Sequence, residues 1–250
     1  WHSVTGFIES AAARDVPAAP QWIQDVRETG RKLWQVQQFP TRKTEAWKYT
    51  NLRMLKRGGF DAAPDTSGEA SVAHDQLASL AEIENLSAHR LVFVNGRFSE
   101  SLSDLLPLEG ARVVRFADAT AEEADEIRSR LGEIVDREKH LFAALNDTWL
   151  DDGVFVGIDD NADVTTPIHV VWLTTPSSSA FSVPSRLLVV AGKQSRATVI
   201  EHFASSTGEQ NGFTNGITEI DIGANARLNH YRLHLEDEQA LHIGGVHSRL

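Results

Sequence analysis

From Pro20 to Phe39 the apolar residues Trp22, Ile23, Val26, Leu33 and Val36 recur near a 3.6-residue spacing. Pro20 and Pro40 bracket the segment, so the pattern predicts one amphipathic helix. Residues 58–71, rich in Gly, Ala, Ser, Asp and Pro, predict a loop, and a shorter helical pattern built on Leu77 and Leu80 follows. At Leu91 the period changes. LVFVNGRF is an apolar run with an Asn95-Gly96 turn, the strongest short hairpin signal, and VVRF from Val113 predicts another strand. Thr120 and Glu123 have the spacing of a capping box ahead of a helix expected to stop at Gly132. Leu141, Leu145 and Trp149 then mark one face of a last helix, ended by Asp151-Asp152-Gly153.

From Val154 onward Thr, Val and Ile dominate short segments separated by turns, and helical periodicity is lost. Shifting this part on itself by 31 residues lays LLVVAGKQSRATV over TEIDIGANARLNH, with Gly192 on Gly223 and Arg196 on Arg227. VFVGIDDNADVTTPIHVVWL before it has the same strand, polar turn and strand outline, and HIGGVHSRL after it begins another unit. Repetition at this period with β content predicts a solenoid, in which each unit leaves an apolar face that only its neighbour can bury. The chain thus divides into a mostly helical cap over residues 1–150 and a β-solenoid beginning at residue 151. Because the strand pattern runs to Leu250, the solenoid is expected to continue in a longer chain or to be covered in a dimer.

Composition narrows the function classes. The 250 residues carry 24 Lys and Arg against 35 Asp and Glu, a net charge of −11, which opposes binding to nucleic acid and to anionic membranes. Cysteine is absent, which excludes disulfides, thiolate metal ligands, a Cys nucleophile and Cys ligation of an iron-sulfur cluster by these residues. With no apolar run of membrane-spanning length and no signal-peptide pattern at Trp1, a cytoplasmic setting is expected. GxGxxG, GxxxxGK[ST], HExxH and GxSxG are all missing.

Histidine is the one unusual resource, with four of ten between His230 and His247. On a strand, His230, Arg232 and His234 share a face, expected to be solvated, and Tyr231, Leu233 and Leu235 share the other. His230 and His234 do not converge as they would on a helix, so no metal ligand is assigned. Glu201 and His202, adjacent on a strand, point to opposite faces and cannot work on one substrate as an acid/base pair. Arg196 and Arg227 form either a basic ladder or, as favoured here, turn arginines bonded to neighbouring carbonyls or carboxylates. An alternative reading as a β-helical carbohydrate-active enzyme rests on the solenoid pattern and an acidic surface suited to calcium; it needs clustered carboxylates on one groove, whereas Asp159, Asp160 and Asp163 cluster only in a turn. In FPTRKTEAWKYTNL, Trp47 and Tyr49 are expected to pack the cap on the solenoid while Arg42, Lys43 and Lys48 stay wet.

That last stretch also carries a resemblance. FPTRKTEAWKYTNL, residues 39–52, is similar to the N-terminal motif of the SufD branch of the SufB/SufD family of iron-sulfur cluster assembly proteins. Its specific part is Arg42, Lys43, Glu45, Trp47, Lys48, Tyr49 and Thr50. FVNGRFSESLS from Phe93, HLFAALNDTWLDDGVFVGI from His140, TPIHVVW from Thr166, and SRLLVVAG and VIEHF between Ser185 and Phe203 resemble the same family. The resemblance implies a mainly β protein with a helical N-terminal domain and a right-handed parallel β-helix core, followed by helices that dock an ABC-type ATPase. It further implies a non-enzymatic scaffold subunit whose partners are a SufC-type ATPase and a SufB-type paralogue, with a homodimer through the β-helix as a further expectation. A transient iron-sulfur cluster would belong to the complex and no cofactor to this chain alone. The family's association with a reduced flavin finds no flavin-like motif here, and its interface histidine has no counterpart that can be assigned before Leu250.

Overall fold

The fold is that of a computed structural model, which describes residues 4–50, 52, 55, 60–63 and 72–250. Five helices lie among these residues: α1 (Val4–Ala13), α2 (Gln21–Val36), α3 (His74–Ala81), α4 (Ala121–Arg128) and α5 (Leu141–Trp149). The strands are β1 (Asp61–Ala62), β2 (His89–Val94), β3 (Arg97–Phe98), β4 (Ala111–Arg115), β5 (Val154–Ile158), β6 (Ile168–Thr174), β7 (Phe181–Ala191), β8 (Arg196–Ser205), β9 (Gly212–Ile222), β10 (Arg227–Leu235) and β11 (Leu241–Arg249). The helix expected between Pro20 and Pro40, the one on Leu77 and Leu80, and the one carrying Leu141, Leu145 and Trp149 are α2, α3 and α5. Most of the loop expected over 58–71 lies outside the described residues.

Successive strands alternate between two sheets, one ordered β11-β9-β7-β5-β4 with β1 also on β7, the other β10-β8-β6-β2-β3. Among the described residues only the β2–β3 and β4–β5 strand pairings are antiparallel. The rest are parallel, and the result is a parallel β-solenoid of about three turns. The 31-residue repeat is its rung length: Ile168 lies beside Val199, Phe181 beside Gly212 and Arg196 beside Arg227, each an offset of 31. Gly192 and Gly223 recur because the corner is too tight for a side chain. A Cβ on Gly192 would stand 2.6 Å from the Asp160 nitrogen, and one on Gly223 2.8 Å from the Ala191 oxygen. The Asn95-Gly96 turn closes the β2–β3 hairpin with both residues at positive φ, 51° and 83°, as a type I′ turn demands. Since β2 pairs with β6 in parallel and β4 with β5 antiparallel, strands from the first 150 residues are built into both sheets.

Strand alternation fills the interior with Leu91, Phe93, Val154, Val156, Ile158, Ile168, Val170, Trp172, Leu187, Val189, Val199 and Phe203. Register stacks like on like, and Phe93 and Trp172 lie face to face at 4.3 Å. The outer faces are covered by helices. α3 lies on the second sheet over Val171, Leu173 and Ala204, while α5 and α2 cover the first through Trp34, Phe142, Leu145, Trp149 and Phe213. α2 reaches α5 closely because Gly30 meets Asp147 and Thr148, where a Cβ would come within 2.5 Å of the Asp147 Cβ. α4 opens with the expected capping box, Thr120 N–H donating to Glu123 Oε2 at 2.8 Å. It ends at Arg128, four residues before Gly132, because the Gly132, Ile134 and Val135 amides turn away to bond Glu219. Among the described residues no helix is long and apolar enough to cross a membrane.

Candidate functional site

Two regions concentrate polar chemistry. The first is the Arg42–Thr50 segment, a short loop with one 3-10 turn over Glu45–Trp47. Trp47 packs on Phe142 of α5 with ring centroids 5.0 Å apart, as the packing expectation required. Tyr49 does not. It is 92% exposed, with Lys48 Nζ 5.3 Å above its ring, so the expectation that it packs the cap is corrected. Arg42, Lys43, Glu45, Lys48 and Thr50 are also exposed, and the segment forms an aromatic and basic surface on an otherwise acidic chain.

Behind it, a buried ion network fastens α5 to the solenoid. Arg186 of β7, fully buried, donates to Asn146 Oδ1 (2.9 Å) and Asp147 Oδ1 (2.8 Å) on α5 and to Glu219 Oε1 (2.7 Å) on β9. Burial alone would pull Arg186 down, but the Asp147 and Glu219 carboxylates outweigh it and hold it firmly charged. Burial would likewise raise Glu219, yet Arg186 and the Gly132, Val135 and Ile134 amides keep its pKa below the ordinary range.

The second region is the inside of the solenoid at its last rung, where the aliphatic filling gives way to ionisable groups. Register places His230, Arg232 and His234 over Val199, Glu201 and Phe203, which are interior positions. The expectation that this face is solvated fails for His230 and Arg232, whose side chains are largely covered, and holds for His234, which stays exposed. Tyr231 and Leu235 are exposed as well, at 55% and 63%. The physical reason is strand parity: once Val199 and Phe203 are fixed inward, their partners 31 residues on must follow. Glu201 is buried and accepts hydrogen bonds from Thr218 Oγ1 (2.7 Å) and His230 Nε2 (2.9 Å), with Arg232 Nε 3.5 Å away. Burial would raise its pKa, but the His230 hydrogen bond and the Arg232 charge lower it, so it is ionised. His202 points the opposite way, as alternation predicted, and stacks on His169 at 5.5 Å.

His230 and His234 do not converge on each other. His234 instead meets Glu236 and His242 across the turn joining β10 to β11. Glu236 Oε2 lies 3.4 Å from His234 Nδ1 and 2.7 Å from His242 Nδ1, and Thr214 Oγ1 donates to Oε1 at 3.0 Å. Burial, then the neighbouring His242, holds His234 below the ordinary imidazole range, while hydrogen bonds from His242, Thr214 and His234 outweigh burial and keep Glu236 ionised. Glu236 and His242 escaped sequence reasoning because the rung offset here is 28 rather than 31, Phe213 lying beside Leu241. Period-two alternation on β11 would have put His242 inside once that register was known.

Arg196 and Arg227 stand in register at an exposed corner. Neither guanidinium bonds a carbonyl or carboxylate among the described residues, so the expected anchoring is corrected; the backbone amides alone are tied, to Ala162 O and Ser195 O at 2.8 Å. Asp159, Asp160 and Asp163 remain in their turn, where Asp160 Oδ1 accepts from the Lys193 amide at 2.7 Å and the Asp163 backbone forms an isolated parallel β-bridge with that of Arg196.

Comparison with known proteins agrees with this architecture. Residues 11–170 match the SufBD protein N-terminal region, and residues 173–250 match the SUF system FeS cluster assembly SufBD core domain. The chain is similar to an iron-sulfur cluster assembly SufBD family protein of Synechocystis, 30% identical over 213 residues, covering 82% of this chain and 46% of that protein. It is also similar to the iron-sulfur cluster assembly protein SufD of Escherichia coli, 27% identical over 245 residues, covering 97% of this chain and 51% of the relative. SufD of Bacillus subtilis is 23% identical over 213 residues, covering 84% and 47%. The chain thus spans about half the length of these relatives. With both family models laid end to end on a helical cap and a parallel β-solenoid, the chain belongs to the SufBD family.

Proposed function

We propose that this chain is part of a SufD-type scaffold subunit in iron-sulfur cluster assembly, working by binding partners and shaping an assembly site rather than by turnover. The observation that carries the reading is the continuity of the two SufBD models, residues 11–170 and 173–250, over one solenoid and its cap. In this reading the subunit joins a SufB-type paralogue through the solenoid, and a SufC-type ABC ATPase supplies the hydrolysis. The cluster is cargo shared by the complex. The chemistry of these residues bears on the assignment in one respect: without cysteine they offer no thiolate for sulfur or for cluster iron, so the ligands they can contribute are imidazoles and carboxylates. The acidic chain and its Arg42–Tyr49 surface suit protein partners better than nucleic acid.

The test is anaerobic affinity purification of the tagged intact protein from its own host in cytoplasmic extract, with mass spectrometry of co-purifying proteins and an iron assay. Recovery of an ABC ATPase and a Cys-containing paralogue is expected. Recovery of the protein alone, free of iron, would overturn the reading.

A further inference from the structure

We propose that His234, Glu236 and His242 form a binding site for one divalent first-row transition ion at the β10–β11 turn. One ligand atom from each, two imidazole nitrogens and a carboxylate oxygen, lies within 4.8 Å of the other two. An ion of tetrahedral preference holds such ligands about 3.4 Å apart; the 3.4 Å from Glu236 Oε2 to His234 Nδ1 matches that, and the 2.7 Å to His242 Nδ1, a hydrogen bond, opens when an ion replaces the shared proton. The site is independent of the scaffold reading and no family match assigns it.

Three features mark it as built. The rings are held in place: His234 stacks on Phe203 at 5.3 Å and 9°, and His242 meets the same ring edge-on at 4.7 Å and 84°. The carboxylate is oriented, because Thr214 occupies Oε1 and leaves Oε2 to face both imidazoles, the arrangement by which an outer hydrogen bond fixes a metal-ligating carboxylate. Space is reserved by glycine at paired positions of β9 and β11. A Cβ at Gly244 would stand 3.0 Å from His242 Nε2 and one at Gly216 3.3 Å from it. His242 Nε2 itself is buried without a hydrogen-bond partner.

Arg232, which shares the Gly216 corner with His242, is engaged by partners of its own. Its Nη2 donates to Gly216 O at 3.1 Å, its Nε faces Glu201 Oε2, and its guanidinium lies 4.9 Å over Phe203. The His234 side chain, 46% exposed, gives an entry path and leaves room for water to complete the coordination. Two imidazoles with a single carboxylate suit Zn(II) or Fe(II); calcium and magnesium need more oxygen ligands than the set contains.

The experiment uses the intact protein freed of metal with chelator and titrated with Co(II), read by visible d–d absorption, then back-titrated with Zn(II). One equivalent of Co(II) displaced by Zn(II) is expected. His242→Ala and Glu236→Gln should each weaken binding by about 100-fold or more, while His74→Ala, at an exposed position on α3, should leave it unchanged. His234→Ala alters the most exposed ligand and serves if His242→Ala fails to fold, with circular dichroism checking each variant. No saturable binding up to millimolar metal, or equal affinity in the three ligand variants, would overturn the proposal.

Discussion

Replacing Arg186 by Met is expected to be among the most damaging single changes to the solenoid. The substitution keeps most of the volume but strands Asp147 and Glu219, both buried, and deprives Asn146 Oδ1 of its donor. Removing one member of a buried ion pair costs about 3–5 kcal/mol, because the surviving charge stays desolvated. Asp147 keeps Arg137 at 3.0 Å and Glu219 keeps three backbone amides, so the loss should stay within that range and not double with two stranded carboxylates. For a domain of this size it amounts to a fall in Tm of roughly 10 °C. Urea unfolding followed by circular dichroism measures it. Adding Asp147→Asn and Glu219→Gln should recover part of the loss, since uncompensated charge and not the missing contact is the main cost. Acid should also narrow the gap. The depressed pKa of Glu219 gives the wild type stability that is present above the unfolded carboxylate pKa and lost as pH falls through the folded one, and Arg186→Met surrenders much of that term in advance. A loss below about 1 kcal/mol at pH 7 would refute the claim that this network fastens α5 to the sheet.

Three further outcomes follow from the same geometry. Phe203→Ala, which removes a fully buried ring from the interior column, should cost about 3–5 kcal/mol in the same unfolding assay, and a cost under 1 kcal/mol would contradict its place inside. Gly192→Ala should destabilise by about 1–3 kcal/mol through collision with the Asp159–Asp160 backbone, and an unchanged urea midpoint would show that the corner tolerates a side chain. His169 is held neutral by burial and by its neighbours His202 and Arg90, with its pKa lowered to about 3. Because it takes up a proton more readily when unfolded, the stability it contributes is complete above about pH 6.5 and falls as pH drops toward 3, at up to about 1.4 kcal/mol per pH unit. His169→Phe should flatten the stability profile between pH 6.5 and 4, and an unaltered slope would place the titration elsewhere.

Much of this fold was legible because the repeat and the rung are the same object. The 31-residue shift that superposed Gly192 on Gly223 is the register of three strand pairs, and the Asn95-Gly96 turn and the Thr120/Glu123 box are local chemistry that tertiary context left intact. What sequence could not supply was the direction of each face. A strand alternating His, Arg and His against Tyr, Leu and Leu looks polar-out, yet β10 covers His230 and Arg232 because β8 beneath it has already committed Val199 and Phe203, and only His234 on that row stays exposed. The same blindness hid Asn146, Asp147, Arg186 and Glu219: all four are polar by composition and all are buried, satisfied by partners 10 to 87 residues apart in sequence. His242 and Glu236 were hidden by a rung three residues shorter than the 31-residue repeat, and Tyr49 was misplaced because an aromatic in a dense motif looks like a packing residue.

The central claim, that the protein acts by assembling with partners around a nascent cluster, is tested most directly by native mass spectrometry. The intact protein would be mixed anaerobically with the SufB-type and SufC-type proteins of the same organism and reconstituted with iron and sulfide. The account predicts a stoichiometric ternary complex that retains iron and sulfide and loses them when this subunit is withheld. A subunit that stays apart while the other two hold an equal amount of cluster without it would contradict the account.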